Sequence, residues 1–393
     1  MSSMNNTPNA DRIHIGIFGK RNAGKSSLIN AITGQDLAIV SDFKGTTTDP
    51  VSKAMEILPL GAVNIIDTPG LDDEGELGAL RVKKAYKVLN KTDIALVVVD
   101  FNIGFSEVEE KLIEKISEKK IPYIIVYNKS ENFKNDKPQE NEIYVSAVSG
   151  KNIDKLKEKI AATLPHTKEE IPIVSDLVNK GDRVIMVVPI DEAAPKGRII
   201  LPQQQTLREL LDVGAITTVV QIEELKEALT EDTKLVITDS QAFKEVSEIV
   251  PENIALTSFS ILFARHKGNL KILTDGVKAL ENLNDGDKIL ISEGCTHHRQ
   301  CGDIGSVKIP AMLKKITGKN LDLTFSSGTE FTDNISDYKL VIHCGGCMLN
   351  EREMKYRIAC AKDSGIPIVN YGIFIAYAKG ILKRSIEIFE DRL

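Results

Sequence analysis

The chain is 393 residues long, 42% apolar and 27% charged, with a formal net charge of −6. That length exceeds one hydrophobic core and predicts roughly two to four folding units. The mild acidity, the absence of tryptophan and the 5% aromatic content argue against a nucleic-acid partner, which would call for a basic face or stacking rings.

No run of about 20 apolar residues occurs, so no membrane span is expected. The polar opening MSSMNNTPNADR lacks the apolar stretch of a signal peptide, so the expected location is cytoplasmic. Five cysteines, an odd number, favour free thiols or metal ligands over a disulfide framework.

From Ile13 to about Leu164 short β-branched runs (IHIGIF, VNIID, IALVVVD, YIIVYN, IYVSA) alternate with helical patterns such as Glu107–Lys119, as in a buried parallel sheet. The charged, proline-bounded stretch Pro165–Pro172 reads as a linker. A second α/β stretch follows, with strands near DRVIMVVP and KLVITD and helices near TLRELLDVG and IEELKEALTE. Past a possible boundary at Arg265–Leu270, a third has strands near DKILISEG, LDLTFSSG, YKLVIHCGG and IPIVNYG. The expected fold class is α/β in three domains: a P-loop domain over 1–168, then two smaller α/β domains over 169–265 and 266–393.

Gly19-Lys20-Arg21-Asn22-Ala23-Gly24-Lys25-Ser26 fits the spacing of a phosphate-binding P-loop, placed after a strand and before a helical SLINAI. Backbone N–H groups from Gly19 to Ser27 can wrap the phosphates, Lys25 can reach the β- and γ-phosphates, and Ser26 can ligate Mg²⁺. Downstream, Asp67-Thr68-Pro69-Gly70 supplies an acid for the magnesium shell and a Gly70 N–H for the γ-phosphate. Thr46 and Thr47, within Gly45–Asp49, supply hydroxyls where a switch loop would meet the metal.

Asn128-Lys129-Ser130-Glu131 and Ser146-Ala147 complete an ordered set that resembles the translation-factor-like GTPases, specifically the Era and TrmE branch, over residues 13–164. The resemblance implies a Ras-like fold, with GTP as ligand, guanine read by Asn128 and Lys129, and its O6 met by Ser146-Ala147. Glu131 departs from the family's Asp, one methylene longer at the guanine-reading position. Leu71 stands where Ras-like enzymes carry a water-orienting glutamine, which predicts slow hydrolysis. In the TrmE branch an asparagine at the position of Asn22 binds K⁺, so the expected activity is Mg²⁺-dependent and K⁺-stimulated, with Lys25, Asn22, Thr47 and Gly70 as its catalytic groups. Glu74 and Glu76 are weak candidates for positioning water.

Cys295-Thr296-His297-His298, with Cys301 close behind, and His343-Cys344-Gly345-Gly346-Cys347 both follow strands of the third α/β stretch. Loops at the carboxyl ends of such strands converge on one crevice. Cys295, His297, Cys344 and Cys347 could bind zinc tetrahedrally, and the same residues could hold an iron–sulfur cluster. With three cysteines a cluster would leave one iron to His297, His298, Asp303 or His343. Cys360 reads as a packed thiol, and His14, His166 and His266 as structural or surface residues.

A GTPase of this branch followed by CxH, about fifty residues, and HCxxC resembles the [FeFe]-hydrogenase maturation GTPases over essentially the whole chain. That resemblance implies a [4Fe-4S] cluster on Cys295, Cys344 and Cys347 with a variable non-cysteine fourth ligand, and a middle domain that forms a homodimer. It implies a scaffold or carrier that holds the di-iron precursor for the apo-enzyme of [FeFe]-hydrogenase, with radical-SAM hydrogenase maturases as further partners. The alternatives are a regulatory GTPase with a structural zinc domain and, more weakly, a tRNA-modifying GTPase.

Overall fold

The computed structural model describes residues 9–34, 50–72, 75–131, 138–164, 171–190, 197, 199–294, 303–328, 331–332 and 334–392. The chain divides into two compact units, Met1–Lys168 and Glu169–Leu393.

The first unit runs β1 (Ile13–Phe18), α1 (Lys25–Thr33), β2 (Val51–Ile57), β3 (Gly61–Asp67), α2 (Gly75–Val88), β4 (Ile94–Asp100), α3 (Glu107–Glu118), β5 (Tyr123–Asn128), β6 (Glu142–Tyr144) and α4 (Ile153–Thr163). Its described strands form one sheet in the order β2-β3-β1-β4-β5-β6, parallel except for β2. The uniformly buried β4 takes a central place, covered on both faces, as an unbroken β-branched run requires. β2 alternates between exposed and half-buried residues and pairs antiparallel at the edge, which is why no apolar run announced it. At the start of α3, Ser106 N–H donates to Glu109 Oε2 at 3.1 Å in a capping box. The chain fills one side of β1 and then crosses to β4, so a crevice opens at the carboxyl ends of β1 and β4.

The second unit runs β7 (Arg183–Val187), α5 (Leu201–Val213), β8 (Ile216–Val220), α6 (Leu225–Ala228), β9 (Thr233–Thr238), α7 (Phe243–Ile249), β10 (Ala255–Ser258), α8 (Phe259–Lys267) and α9 (Leu270–Asp275). It continues with β11 (Lys288–Ser292), α10 (Ile309–Thr317), β12 (Asp322–Ser326), β13 (Leu340–His343), α11 (Glu351–Asp363), β14 (Ile368–Asn370), α12 (Tyr371–Ala378) and α13 (Leu382–Ile386). Two parallel sheets result, β10-β9-β7-β8 and β12-β11-β13-β14. The helix expected along IEELKEALTE shrinks to the single turn of α6, and β8 and β10 appear where no strand was expected.

One core runs through both sheets, from Ile173 and Val184 through Phe263 to Ile342 and Phe389. The boundary expected at 265–266 therefore falls inside α8, which is buried nearly all round because α5, α11 and α12 pack against it. Arg265 anchors that helix, giving two N–H bonds to the Asp176 carboxylate at 2.6 and 3.1 Å and one to the Pro172 carbonyl at 2.6 Å. In the last sheet the chain reverses direction between β11 and β13, so the residues after Ser292 and after His343 share a crevice of the kind seen in the first unit. No helix among the described residues is long and apolar enough to cross a membrane.

Candidate functional site

In the first unit the phosphate loop lies between β1 and α1. Lys25 Nζ donates to the carbonyls of Gly19 and Lys20 at 3.0 and 2.7 Å, so the ammonium sits across the mouth of the loop. Gly24 is required there. Its φ is +88°, and a Cβ would lie 2.2 Å from Asn128 Nδ2. Asn22 is exposed with φ +58°, and its carbonyl accepts from Lys129 Nζ at 2.7 Å. Ala23 is buried, and Ser27 is exposed in the first turn of α1.

Ser26 Oγ donates to Asp67 Oδ2 at 3.2 Å. The other oxygen, Asp67 Oδ1, is buried and has no hydrogen-bond partner among the described residues. Burial raises the pKa of this carboxyl, against the pull of Lys25 and Ser26. A hydroxyl beside an orphaned buried carboxylate oxygen is a donor set that fits a hard divalent cation such as Mg²⁺. The Gly70 turn is tied to the P-loop through Leu71 N–H, which donates to Gly19 O at 3.3 Å. Leu71 is only 7% exposed and packs with Phe18 and Ile66, so its side chain is committed to the core. Thr46, Thr47 and Glu74 lie outside the described residues, as does the side chain of Glu76.

The residues expected to read guanine converge on the same loop. Asn128 Nδ2 donates to the Ala23 and Gly24 carbonyls at 3.1 and 3.4 Å, while its Oδ1 accepts from Ala147 N–H at 3.0 Å. This amide therefore ties the P-loop to the Ser146-Ala147 turn. Lys129 Nζ also bonds Asp100 Oδ2 at 2.6 Å. Burial works to raise the Asp100 pKa, but the bonds from Lys129 and Asn102 outweigh it and hold the carboxyl below its usual value. Glu131 Oε1 accepts from Ser146 Oγ at 2.7 Å, a contact that its extra methylene reaches. Asp100, which closes IALVVVD, was missed in the sequence; an acid ending a buried strand was the available signal.

In the second unit, Cys344 and Cys347 occupy the turn after β13, and both are free thiols. Gly294 N–H donates to Cys344 Sγ at 3.0 Å and Gly346 N–H at 3.4 Å. Gly346 has φ +65°. The Gly294 bond brings the segment that leads into Cys295 against the Cys344 sulfur. Burial of the sulfur pushes the Cys344 thiol up to about 11, although these two N–H bonds favour the thiolate. Two soft thiols with backbone donors aimed at sulfur form a donor set that fits a thiolate-bound metal group. Cys295, His297, His298 and Cys301 lie outside the described residues. Among the described residues no group of three or more His, Cys, Asp or Glu is close enough to hold a metal ion.

His343 is engaged elsewhere. Arg357 Nη1 lies 3.0 Å from its Nε2, and a guanidinium can only donate, so Nε2 accepts. The ring proton is therefore on Nδ1, 2.7 Å from the Cys344 carbonyl. Burial and then Arg357 lower the pKa of this imidazole to about 3. Both ring nitrogens of His343 are therefore engaged in hydrogen bonds. Asp303 Oδ2 accepts from Ser306 N–H and Oγ, both at 2.8 Å, and caps the wide helical turn Ile304–Lys308. Arg357 is fully buried, donating also to Glu353 Oε1 and the Gly328 carbonyl at 2.9 Å each. Its spacing from Glu353 was legible in the sequence; its burial was not. Cys360 lies on α11 and packs against the core as a half-buried thiol.

Three family profiles match in succession: "50S ribosome-binding GTPase" over residues 14–129, "Hydrogen maturase F dimerization domain" over 173–268 and "Hydrogen maturase F tetramerization domain" over 270–388. GTPase Der of Wolinella succinogenes is 35% identical over 185 residues, which is 43% of this chain and 39% of that protein. The tRNA modification GTPase MnmE of Mesoplasma florum is 36% identical over 171 residues, 42% of this chain and 36% of that protein. The chain thus spans well under half the length of these relatives. A crystal structure of Aquifex aeolicus Era bound to GDP.AlF4⁻ aligns with a TM-score of 0.34 at 20% identity, covering 60% of this chain and 97% of that one. The two hydrogen maturase F profiles account for residues 173–388 almost without a break, so the chain belongs to the hydrogen maturase F family, with a P-loop GTPase domain at its N-terminal end.

Proposed function

We propose that this chain is a GTP-hydrolysing scaffold that holds an iron–sulfur group on Cys295, Cys344 and Cys347 and carries a di-iron precursor to the apo-enzyme of [FeFe]-hydrogenase, with radical-SAM maturases as partners. The observation that carries the reading is Gly294 N–H on Cys344 Sγ at 3.0 Å, which sets the residue before Cys295 against the CxxC turn at the crevice where the strand order reverses. The names of the two matching profiles support assembly into dimers or larger oligomers, with residues 169–265 as the dimerising part and 266–393 as the cluster-holding part.

At the nucleotide site Lys25 places positive charge against the β- and γ-phosphates, and the Gly70 N–H orients the γ-phosphate. Ser26 and Asp67, with Thr46 or Thr47, would hold Mg²⁺, which supplies charge neutralisation between the phosphates. Lys129, Glu131, Ser146 and Ala147 face the base, and Glu131 accepts from the guanine N–H donors. Leu71, turned into the core, offers attacking water no amide, so hydrolysis is slow. Asn22 supplies the oxygen for a K⁺ ion that adds charge near the transferring phosphoryl group.

Anaerobic iron and sulfide analysis with EPR, on reconstituted protein beside a Cys344→Ala/Cys347→Ala variant, tests the cluster. About four irons and four sulfides per chain, lost in the variant, are expected; tightly held zinc without sulfide overturns the scaffold reading. A GTPase rate that stays the same when Na⁺ replaces K⁺ removes the role given to Asn22.

A further inference from the structure

Three successive carbonyls of the phosphate loop are gripped from outside by two successive side chains. Asn128 Nδ2 donates to the Ala23 and Gly24 carbonyls at 3.1 and 3.4 Å, and Lys129 Nζ donates to the Asn22 carbonyl at 2.7 Å. A trans peptide is planar, so each carbonyl and the N–H of the next residue point in opposite directions. Holding these carbonyls outward therefore aims the N–H groups of Ala23, Gly24 and Lys25 into the loop, where phosphate is wrapped. Ala23 N–H does point inward, 3.5 Å from the Lys20 carbonyl.

The Asn128 amide is fixed by burial and by its bond from Ala147 N–H. Lys129 has no such burial. Its side chain is 38% exposed, and a flexible ammonium in contact with water stays on one carbonyl only if a second group holds it. Asp100 Oδ2 holds it at 2.6 Å, from the end of β4, where Asp100 pairs with Asn128 in the parallel register. The carboxylate is itself buried and anchored, because its Oδ1 accepts from Asn102 N–H at 3.0 Å and from Asn102 Nδ2 at 3.4 Å. One oxygen is thus tied to its own turn while the other presents charge to the lysine. The link also joins two strained positions: Asn22 and Lys129 have φ of +58° and +64°, the left-handed region that a Cβ disfavours.

We propose that Asp100 is a positioning residue for phosphate binding: it fixes Lys129 Nζ on the Asn22 carbonyl and so orients the Asn22–Ala23 peptide of the phosphate loop. The proposal rests on the nucleotide site described above. Asp100→Asn leaves one oxygen for two tasks; turned to keep Asn102, it shows Lys129 an amide nitrogen, which can only donate. The lysine then loses its anchor and the loop its hold at Asn22. A loss that runs through the loop falls hardest on a nucleotide with a β-phosphate, whereas a loss confined to base reading falls on GMP and GDP alike.

The test measures GMP and GDP affinities of the full chain by competition with a fluorescent guanine nucleotide, beside thermal unfolding of the nucleotide-free proteins. The proteins are wild type, Asp100→Asn, Lys129→Gln, the double variant and Asn102→Ala, an exposed change that frees the same carboxylate. Asp100→Asn should weaken GDP binding by about tenfold, the scale of one charge-assisted hydrogen bond, and GMP binding by clearly less. In the Lys129→Gln background the Asp100 change should add no further loss. Asn102→Ala should show the same preference for GDP loss to a smaller extent. Equal losses for GMP and GDP overturn the proposal, as do losses that add in the double variant or a GDP affinity that Asp100→Asn leaves unmoved. Where Asp100→Asn does not fold, Asn102→Ala decides: a preferential loss of GDP affinity supports the proposal, and unchanged affinity overturns it. Wild-type protein that binds no guanine nucleotide also overturns it, by removing the nucleotide site itself, a result distinct from all of these.

Discussion

Replacing Arg357 by Met should destabilise the second unit by about 4 kcal/mol, the middle of the range for removing one partner of a buried ion pair. The side chain is fully buried, and its removal strands three acceptors: Glu353 Oε1 at 2.9 Å, the Gly328 carbonyl at 2.9 Å and His343 Nε2 at 3.0 Å. Glu353 is itself only 6% exposed, so its carboxylate would lose the buried cation it meets at 2.9 Å. A loss of about 4 kcal/mol is a large share of the 5–15 kcal/mol typical of a domain. Glu353→Gln/Arg357→Met removes the carboxylate charge as well and should recover about 1–3 kcal/mol relative to the single Met variant. Chemical denaturation of the full chain gives the global change, and native-state hydrogen exchange on peptides covering 340–363 assigns it to β13 and α11. An Arg357→Met variant within about 1 kcal/mol of wild type, or strict additivity in the double variant, would refute the claim that this cation neutralises a buried carboxylate beneath the cysteine turn.

Three further outcomes are expected. Gly24→Ala should weaken nucleotide binding at least about tenfold, because the new Cβ meets Asn128 Nδ2 at 2.2 Å on a backbone with φ +88°; equilibrium binding of a fluorescent GDP analogue measures it. Lys25→Ala should abolish GTP turnover in a phosphate-release assay while iron content stays unchanged, and iron lost in proportion to activity would contradict independent sites. The Asp100 carboxyl, held low by Lys129 and Asn102, contributes stability that is present above its unfolded pKa and lost as pH falls through the lower folded value. Wild type should therefore lose more stability than Asp100→Asn on acidification below about pH 4, and parallel curves in a pH-dependent denaturation series would contradict this.

The P-loop and the residues proposed to read guanine were legible as a linear order because phosphate wrapping needs a glycine-rich loop between a strand and a helix, and both neighbours carry their own patterns. Strands β1, β4 and β5 were equally plain, since buried parallel strands demand unbroken β-branched runs. Edge strands β2 and β8, each with one side half in water, carry no such run and did not show. Nor did α8 declare that it joins two sheets. Its sequence, FSILFARHK, mixes apolar and charged residues, and only the structure shows Arg265 and Lys267 buried with it.

The sequence by itself determined which side chains could bind phosphate, guanine and metal, because those chemistries depend on residue type and short spacing. Only the tertiary structure decided that Leu71 belongs to the core, that Asn128 ties the P-loop to the Ser146-Ala147 turn, and that Arg357 fixes the tautomer of His343. It also decided that Lys267 reaches Cys347 across 80 positions of chain. Such contacts arise where strands far apart in sequence meet at a sheet's reversal point, and the geometry of that meeting is a property of the packed sheet that no local pattern carries.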